Sequence, residues 1–237
     1  MKAIILAGGK GRRLQPYTTV IPKPLMPIGD LPILEIILRQ LKGYGVDEVI
    51  LAVGYMSQLF QAFFQNGERY NLKISYSFEM EPLGTAGPLA NVIDNLSEDF
   101  IVMNGDLLTT LNYQKLFDFH VERQSAATIG LYQRDVKIDF GVVEVTEDQL
   151  LSHYTEKPTF SYKVSMGVNV FNRDMVKPYL FPGKYLDIPD LMMQMKQDNL
   201  PVYCYHEECY WLDIGRVDDY DIANQIFESR RSEFIKD

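Results

Sequence analysis

Residues 6–24 read Leu6-Ala7-Gly8-Gly9-Lys10-Gly11-Arg12-Arg13-Leu14-Gln15-Pro16-Tyr17-Thr18-Thr19-Val20-Ile21-Pro22-Lys23-Pro24. Ahead of them Met1 to Ile5 is a short apolar run, and Lys2 to Leu6 reads as a buried first strand. The strand empties directly into a loop holding Gly8, Gly9 and Gly11. Glycine permits positive φ and close approach of a ligand. Successive amide N–H groups in such a loop form an anion-binding concavity. Arg12, Arg13 and Lys23 add cations, and Pro22 and Pro24 fix the backbone on either side of Lys23. A glycine loop with cations after strand one suits a nucleoside triphosphate. It is not a P-loop, because the G-K-[ST] ending is absent. Nor do glycines at 8, 9 and 11 make a dinucleotide fingerprint, and Arg12 to Pro16 does not open like a helix. That counts against a nicotinamide-dependent dehydrogenase. From spacing alone, a phosphate-binding loop and an ordinary glycine turn both stay open.

Outward from this stretch, Pro16, Pro22, Pro24 and Pro27 predict extended, non-helical backbone. Pro32 can start a helix, and Ile33, Ile36, Ile37, Leu38 and Leu41 then recur at helical period until Gly43 or Gly45. Glu48 to Val53 reads as a strand, Gln58 to Phe64 as a short helix and Leu72 to Phe78 as a strand. A helix is expected over Thr85 to Leu96, a strand over Phe100 to Met103 and a helix over Tyr113 to Arg123. Strands alternating with helices indicate βαβ units and an α/β fold: a Rossmann-like, mostly parallel central sheet with helices on both faces. In such sheets ligands bind beyond the carboxyl ends of strands. The glycine loop, Glu79 to Gly87 and Asp106 all follow strands, so they fall on one edge.

The second half changes character. Ala127 to Gln133, Gly141 to Val145, Leu150 to Thr155 and Val164 to Phe171 are β-type runs, an expected mixed or antiparallel extension of the sheet. Asp187 to Gln197 reads as a helix, Val202 to Tyr205 and Tyr210 to Asp213 as strands, and Val217 to Phe234 as a closing amphipathic helix. The expected organisation is one domain over 1–237: a first half (1–125), a second half (126–215) and a closing helix (216–237).

The chain has 237 residues, 46% of them hydrophobic, enough for an ample core without staples. Its net charge of −9 argues against nucleic acid as a partner. Cys204 and Cys209, with His206 between, make no disulfide framework and a poor zinc pattern. No basic leader or run of ~20 apolar residues is visible, so no membrane is expected as a partner and cytoplasm is the default. His120, His153 and His206 match no triad or metal spacing and read as structural.

Residues 6–24 resemble the signature of the sugar-1-phosphate nucleotidyltransferases, L-A-G-G-x-G-T-R-L-x-P-x-T followed by P-K-P. Arg12 stands where the family usually has Thr, the one departure in this stretch. The resemblance runs from Leu6 to Gly215 with the motifs in family order, and implies an NTP-binding half over 1–125 and a sugar-phosphate-binding half over 126–215. It implies that Leu6, Ala7, Gly8, Gly9, Gly11 and Arg12 hold the nucleotide. Arg13 and Lys23 then neutralise charge on the α-phosphate and on departing pyrophosphate. Asp106 follows Gly105 after an apolar strand; by itself it reads as the start of a turn. Asp213 lies in Trp211-Leu212-Asp213-Ile214-Gly215, where it could cap the turn. The resemblance makes both aspartates ligands of Mg²⁺, the implied cofactor, which takes oxygen ligands.

Glu156-Lys157-Pro158 matches the family's E-K-P, whose Lys holds the sugar phosphate and whose Glu accepts sugar hydroxyls; by itself it reads as a charged hairpin tip. Gly105, Gly141 and Asn169 belong with the implied sugar-phosphate site, although Asn169 could equally be a solvent-facing strand residue. Glu79, Glu81, Pro82, Gly84 and Thr85 resemble the base-reading loop. Guanine offers two N–H groups that one carboxylate, Glu79 or Glu81, could accept, whereas thymine and uracil offer one. The wording E-P-L-G-T-A-G-P-L, with Tyr55-Met56-Ser57-Gln58, leans toward the GTP:mannose-1-phosphate branch. The implied reaction is GTP and mannose-1-phosphate to GDP-mannose and pyrophosphate. The alternatives are a glucose-1-phosphate thymidylyl- or uridylyltransferase, or a non-catalytic NDP-sugar-binding subunit. The implied partners are an NTP, a sugar-1-phosphate and further copies of the chain, as a dimer or larger. Longer members add a β-helical domain of hexapeptide repeats; nothing here resembles it, so a short form is expected.

Overall fold

The computed structural model describes residues 1–235. β1 (Lys2–Leu6) is flanked by two parallel neighbours, β4 (Glu48–Val53) and β6 (Asp99–Asn104). Its residues alternate between the faces of the sheet: Ala3 and Ile5 pack into one apolar cluster, Ile4 into the other. Between β1 and β4 lie the short antiparallel pair β2 (Pro27–Ile28) and β3 (Leu31–Pro32) and then α1 (Ile33–Gly43). The apolar stripe of α1 is buried against the sheet, each such side chain contributing about 1.5–3 kcal/mol by leaving water. α2 (Ser57–Phe64) leads to β5 (Lys73–Phe78), which pairs parallel to β4. β6 is followed by β7 (Leu107–Thr109) and α3 (Tyr113–Glu122).

The second half joins the same sheet. β8 (Ala127–Lys137) and β11 (Thr159–Asn172) pair antiparallel, and β11 also pairs antiparallel to β6. Between them stands the separate hairpin of β9 (Val142–Val145) and β10 (Leu151–Thr155). α4 (Arg173–Val176) and α5 (Ile188–Gln197) precede β12 (Val202–His206), which adds parallel to β8. The sheet order is β12-β8-β11-β6-β1-β4-β5, so the mostly parallel sheet with a mixed extension is as expected. β13 (Trp211–Asp213) pairs antiparallel to β7, and α6 (Val217–Phe234) closes the chain. Residues 236 and 237 of the expected closing helix lie outside the described residues. α1, α2, α3 and α6 contribute to the cluster on one face, α4 and α5 to that on the other. None of the described helices is long and apolar enough to cross a membrane.

Two expectations fail locally. The helix expected over residues 85–96 is instead two 3₁₀ turns, Gly87–Asn91 and Ile93–Asn95. The amides of Ala86 and Gly87 both donate to the Leu186 carbonyl, at 2.8 and 3.0 Å, and Pro88 has no N–H to give. The proline-rich stretch is not simply extended: 3₁₀ turns form at Arg12–Leu14, Tyr17–Thr19 and Lys23–Leu25. Pro16 and Pro22 precede the last two of these turns, a place where a missing N–H costs nothing. The β-runs of the second half are also longer than read, because β8 and β11 continue past the sheet as a two-stranded ribbon.

Candidate active site

The chain passes from β1 to β4 on one side and later returns to β6 on the other. The carboxyl end of β1 is therefore a point where strand order reverses, and a crevice opens there. A cavity of about 900 Å³ occupies it. Its wall includes Leu6, Ala7, Gly8, Gly9, Gly11, Arg12, Arg13, Lys23, Glu79, Glu81, Pro82, Gly84, Thr85 and Asp106, all expected from sequence. Lys10 and Tyr55 lie there too.

At its centre the Lys23 ammonium lies 2.5 Å from Asp106 Oδ2 and 3.9 Å from Asp213 Oδ1. The Lys23 side chain is only 8% exposed, and a buried ammonium needs such partners. Asp213 arrives through the β7–β13 ladder, whose register sets it opposite Leu107, the residue after Asp106. The Ile214 amide donates to the Asp106 carbonyl at 3.1 Å. Burial raises the Asp213 carboxyl above its ordinary value and the Asp106 charge raises it further, against the pull of Lys23 and Arg13. The other Asp106 oxygen, Oδ1, is buried without a hydrogen-bond partner. Two converging carboxylates with an unpartnered oxygen suit a hard divalent cation that completes its shell with phosphate. The donor set thus fits Mg²⁺. The Arg13 guanidinium passes over Gly215, where an added Cβ would stand 3.3 Å from its nearest nitrogen.

Glu79 is half-buried beside the glycine loop: its Oε1 lies 2.9 Å from where a Cβ on Gly8 would stand. Burial pushes its carboxyl up, partly offset by the Leu83 N–H, which donates to Oε2 at 3.4 Å. Glu81 is exposed. Gly84, at φ 78°, would bring a Cβ 2.5 Å from the Leu186 carbonyl and 2.9 Å from Asp187 Oδ1. Its lack of a side chain accommodates the 184–187 segment.

Asp187 Oδ1 accepts from the Thr85 amide at 3.0 Å and the Thr85 hydroxyl at 3.1 Å, and Oδ2 from the Tyr185 hydroxyl at 2.7 Å. Thr85 Oγ1 in turn accepts from the Ile188 amide at 2.8 Å, capping α5 from another part of the chain. The Tyr185 hydroxyl and the Thr85 donors hold the Asp187 carboxyl below its ordinary range against a smaller opposing effect of burial. Tyr185 and Asp187 line the cavity, and sequence reasoning missed both. The available signal, Asp followed by Pro189, pointed to a helix start.

None of the five expected sugar-side residues is brought to this wall. Glu156 and Lys157 are exposed at the turn between β10 and β11, 3.9 Å from one another, and line neither this cavity nor the smaller one beside Asp213. The ribbon that carries them projects past the sheet. Gly141 makes room for the Tyr154 hydroxyl, which fills the space of an added Cβ. Asn169 is not solvent-facing but buried between β6 and β8, its Oδ1 unpartnered. Gly105 is buried, donating its amide to Leu6 at 3.0 Å, and lines neither cavity. Cys204 and Cys209 are free thiols on β12 and in the turn after it, and among the described residues no cluster of three acidic, His or Cys ligands forms.

A family model described as nucleotidyl transferase matches residues 2–230. The chain belongs to the nucleotidyl transferase family. A UTP–glucose-1-phosphate uridylyltransferase of Synechocystis is 30% identical over 239 residues, covering 93% of this chain and 61% of the relative. A mannose-1-phosphate guanylyltransferase of Mycobacterium tuberculosis is 32% identical over 225 residues, covering 92% and 62%. The chain thus spans about three fifths of the length of these curated relatives. Among solved structures, HddC of Yersinia pseudotuberculosis has a TM-score of 0.72 and 25% identity, covering 95% of this chain and 99% of that one. The nucleotidyl transferase motifs at Leu6–Pro24, Glu79–Thr85 and Asp106 meet at one cavity, with Asp213 at its edge.

Proposed function

We propose that the chain transfers a nucleoside monophosphate from an NTP to a sugar-1-phosphate, releasing pyrophosphate. The observation that carries this reading is the Lys23 ammonium shared between Asp106 and Asp213 beside the glycine loop. Family membership and the names of the relatives support it. An oxygen of the sugar phosphate attacks the α-phosphorus; the bond from that phosphorus to the β-bridging oxygen breaks, and pyrophosphate carries away the electron pair. The amides of Gly8, Gly9 and Gly11 cradle the phosphates. Arg13 and Lys23 neutralise the charge that gathers on the α-phosphate and the leaving group. No protein nucleophile is required, since holding the reactants in line supplies much of the acceleration. Asp106 and Asp213 are the residues that would hold Mg²⁺, which supplies further charge neutralisation when bound.

For the base, Glu79 favours guanine. It is the half-buried carboxylate of the loop, able to accept from both N1–H and N2–H of a guanine edge, while Glu81 faces solvent. GTP and mannose-1-phosphate are therefore the preferred substrates, in line with the mycobacterial relative. The test is a matrix of NTPs against sugar-1-phosphates with Mg²⁺, read as pyrophosphate release. Dominant turnover of GTP with mannose-1-phosphate is expected. Dominance of UTP or dTTP with glucose-1-phosphate overturns the base assignment. NDP-sugar binding with no pyrophosphate from any pair overturns catalysis and leaves a binding subunit.

A further inference from the structure

Tyr185 is a large aromatic side chain in the wall of the 900 Å³ cavity, yet it is 64% exposed. The chain reaches it through a turn that the Lys184 amide closes by donating to the Phe181 carbonyl at 3.1 Å. Pro182 and Gly183, the latter at φ 73°, hold the two central positions, the residues a type II turn favours there. Residues 184–187 then run along the base-reading loop. The Leu186 amide donates to the Leu83 carbonyl at 3.0 Å, and the Leu186 carbonyl accepts from Ala86 and Gly87. An extended segment alternates its side chains. Leu186 accordingly packs against the apolar cluster, while Tyr185 and Asp187 line the cavity.

Leu83 also touches Glu79, whose Oε2 accepts from the Leu83 N–H at 3.4 Å. One backbone residue thus joins the half-buried carboxylate to the segment that carries Tyr185. The Tyr185 hydroxyl is committed: it donates to Asp187 Oδ2 at 2.7 Å, and the Thr85 amide and hydroxyl anchor Asp187 Oδ1. The phenol is tethered at its tip while its ring is left largely uncovered by protein. A tyrosine has two side-chain torsions to fix, so holding its ring in place costs little entropy. A bare aromatic face beside a base-reading carboxylate is a stacking platform. A purine covers such a face with two fused rings and a pyrimidine with one, so the purine removes more apolar surface from water.

We infer that Tyr185 is a specificity-determining residue: its ring stacks on the base of the incoming NTP and favours purine over pyrimidine. The identity of the ligand rests on the nucleotidyl-transfer reading. Base selection is then divided between two chemistries. The Glu79 carboxylate accepts N–H donors on the base edge, and the Tyr185 ring responds to the area of the base face.

The test is calorimetric titration of the full chain with GTP, ITP, ATP, UTP and dTTP, without sugar phosphate, in Tyr185→Ala and Tyr185→Phe beside the parent. Tyr185→Ala is expected to raise Kd for GTP and ITP by about tenfold or more, and for UTP and dTTP by less than about threefold. Tyr185→Phe keeps the ring and is expected to hold the GTP and ITP values within about threefold of the parent. A role confined to bracing the loop through Asp187 would instead weaken every base alike and would not be rescued by phenylalanine. Circular dichroism checks folding, and Tyr185→Leu replaces the alanine variant should that one not fold. In turnover Tyr185→Ala raises KM for GTP and leaves KM for the sugar phosphate in place.

Unchanged purine affinity in Tyr185→Ala overturns the assignment. So does equal weakening of purine and pyrimidine nucleotides, or a parent chain that binds UTP or dTTP more tightly than GTP and ITP. Pyrophosphate release with an unaltered GTP KM in Tyr185→Ala removes the stacking role and leaves nucleotidyl transfer standing. A purine-selective loss of binding in a chain that releases no pyrophosphate does the reverse. Equal affinity for GTP and ATP, both weakened in Tyr185→Ala, keeps the ring's role and removes Glu79 as the reader of the base edge.

Discussion

The Lys23 ammonium lies 2.5 Å from Asp106 Oδ2 across 83 residues of sequence, in a site that also admits Asp213. Each group lowers the cost of burying the other. Lys23→Ala is expected to cut kcat by about 10²–10³-fold, the usual consequence of removing one group that stabilises transition-state charge. Asp106→Asn is expected to act similarly and to lose about 2 kcal/mol of stability, as a charged hydrogen-bond partner is removed. Pyrophosphate release and urea unfolding of both variants check this. Near-normal turnover in either removes the assigned roles.

Glu79 links base choice to pH. Its carboxyl is raised in the folded chain above the ordinary 4.5, chiefly by burial. The folded state therefore holds a proton that the unfolded state has released as pH climbs through this window. Stability contributed by this group falls as pH rises from 4.5 through the raised value. Glu79→Gln is expected to flatten that slope and to raise Tm near neutral pH. It is also expected to raise KM for GTP by about tenfold or more, through loss of a charge-assisted hydrogen bond. Calorimetry across pH, together with GTP and UTP kinetics, measures both effects. A KM for GTP that stays put rules Glu79 out as the base reader.

Asp187 and Thr85 form a clamp between the base-reading loop and α5. Asp187→Ala leaves Thr85 and Tyr185 without their shared acceptor. The expected outcome is a loss of about 1–2 kcal/mol and a larger rise in KM for the NTP than fall in kcat. Gly84→Ala is expected to be worse for folding, because its Cβ would meet the Leu186 carbonyl at 2.5 Å on a backbone at φ 78°. Thermal melts and NTP saturation curves distinguish this clamp from a catalytic role, which would move kcat instead.

His120 provides a second pH response, remote from the cleft. It is buried, with Nδ1 2.8 Å from the Thr128 hydroxyl and Nε2 3.3 Å from Asp99 Oδ1. Burial lowers its pKa from the ordinary 6.5 more than Asp99 raises it. The unfolded state then takes up a proton that the folded state refuses. Stability is lost as pH falls below 6.5 toward the lowered value. His120→Gln is expected to remove that part of the acid sensitivity. Tm measured between about pH 5 and 8 reads it; an unchanged slope in the variant contradicts the assignment.

Much of the fold was legible because period and punctuation are local. The alternation through Lys2–Leu6, the stripe from Ile33 to Leu41 and the glycines after β1 each declare themselves within a dozen residues. The 85–96 stretch misled because its amides are claimed by Leu186, a hundred residues away. Asp187 was read as a helix start for the same reason: its partner, Thr85, is invisible in the sequence around it.

By itself the sequence determined the residue types of the site: a glycine loop, Arg13, Lys23 and two aspartates in motif contexts. The tertiary structure decided which of them share a cavity. Asp106 and Asp213 meet because β7 and β13 pair in one register, and Lys157 stays outside, at the turn between β10 and β11, where the β8–β11 ribbon has run past the sheet. Motif spacing encodes what a segment can do locally. Convergence depends on sheet order and strand register, which arise from burying both faces of one sheet at once.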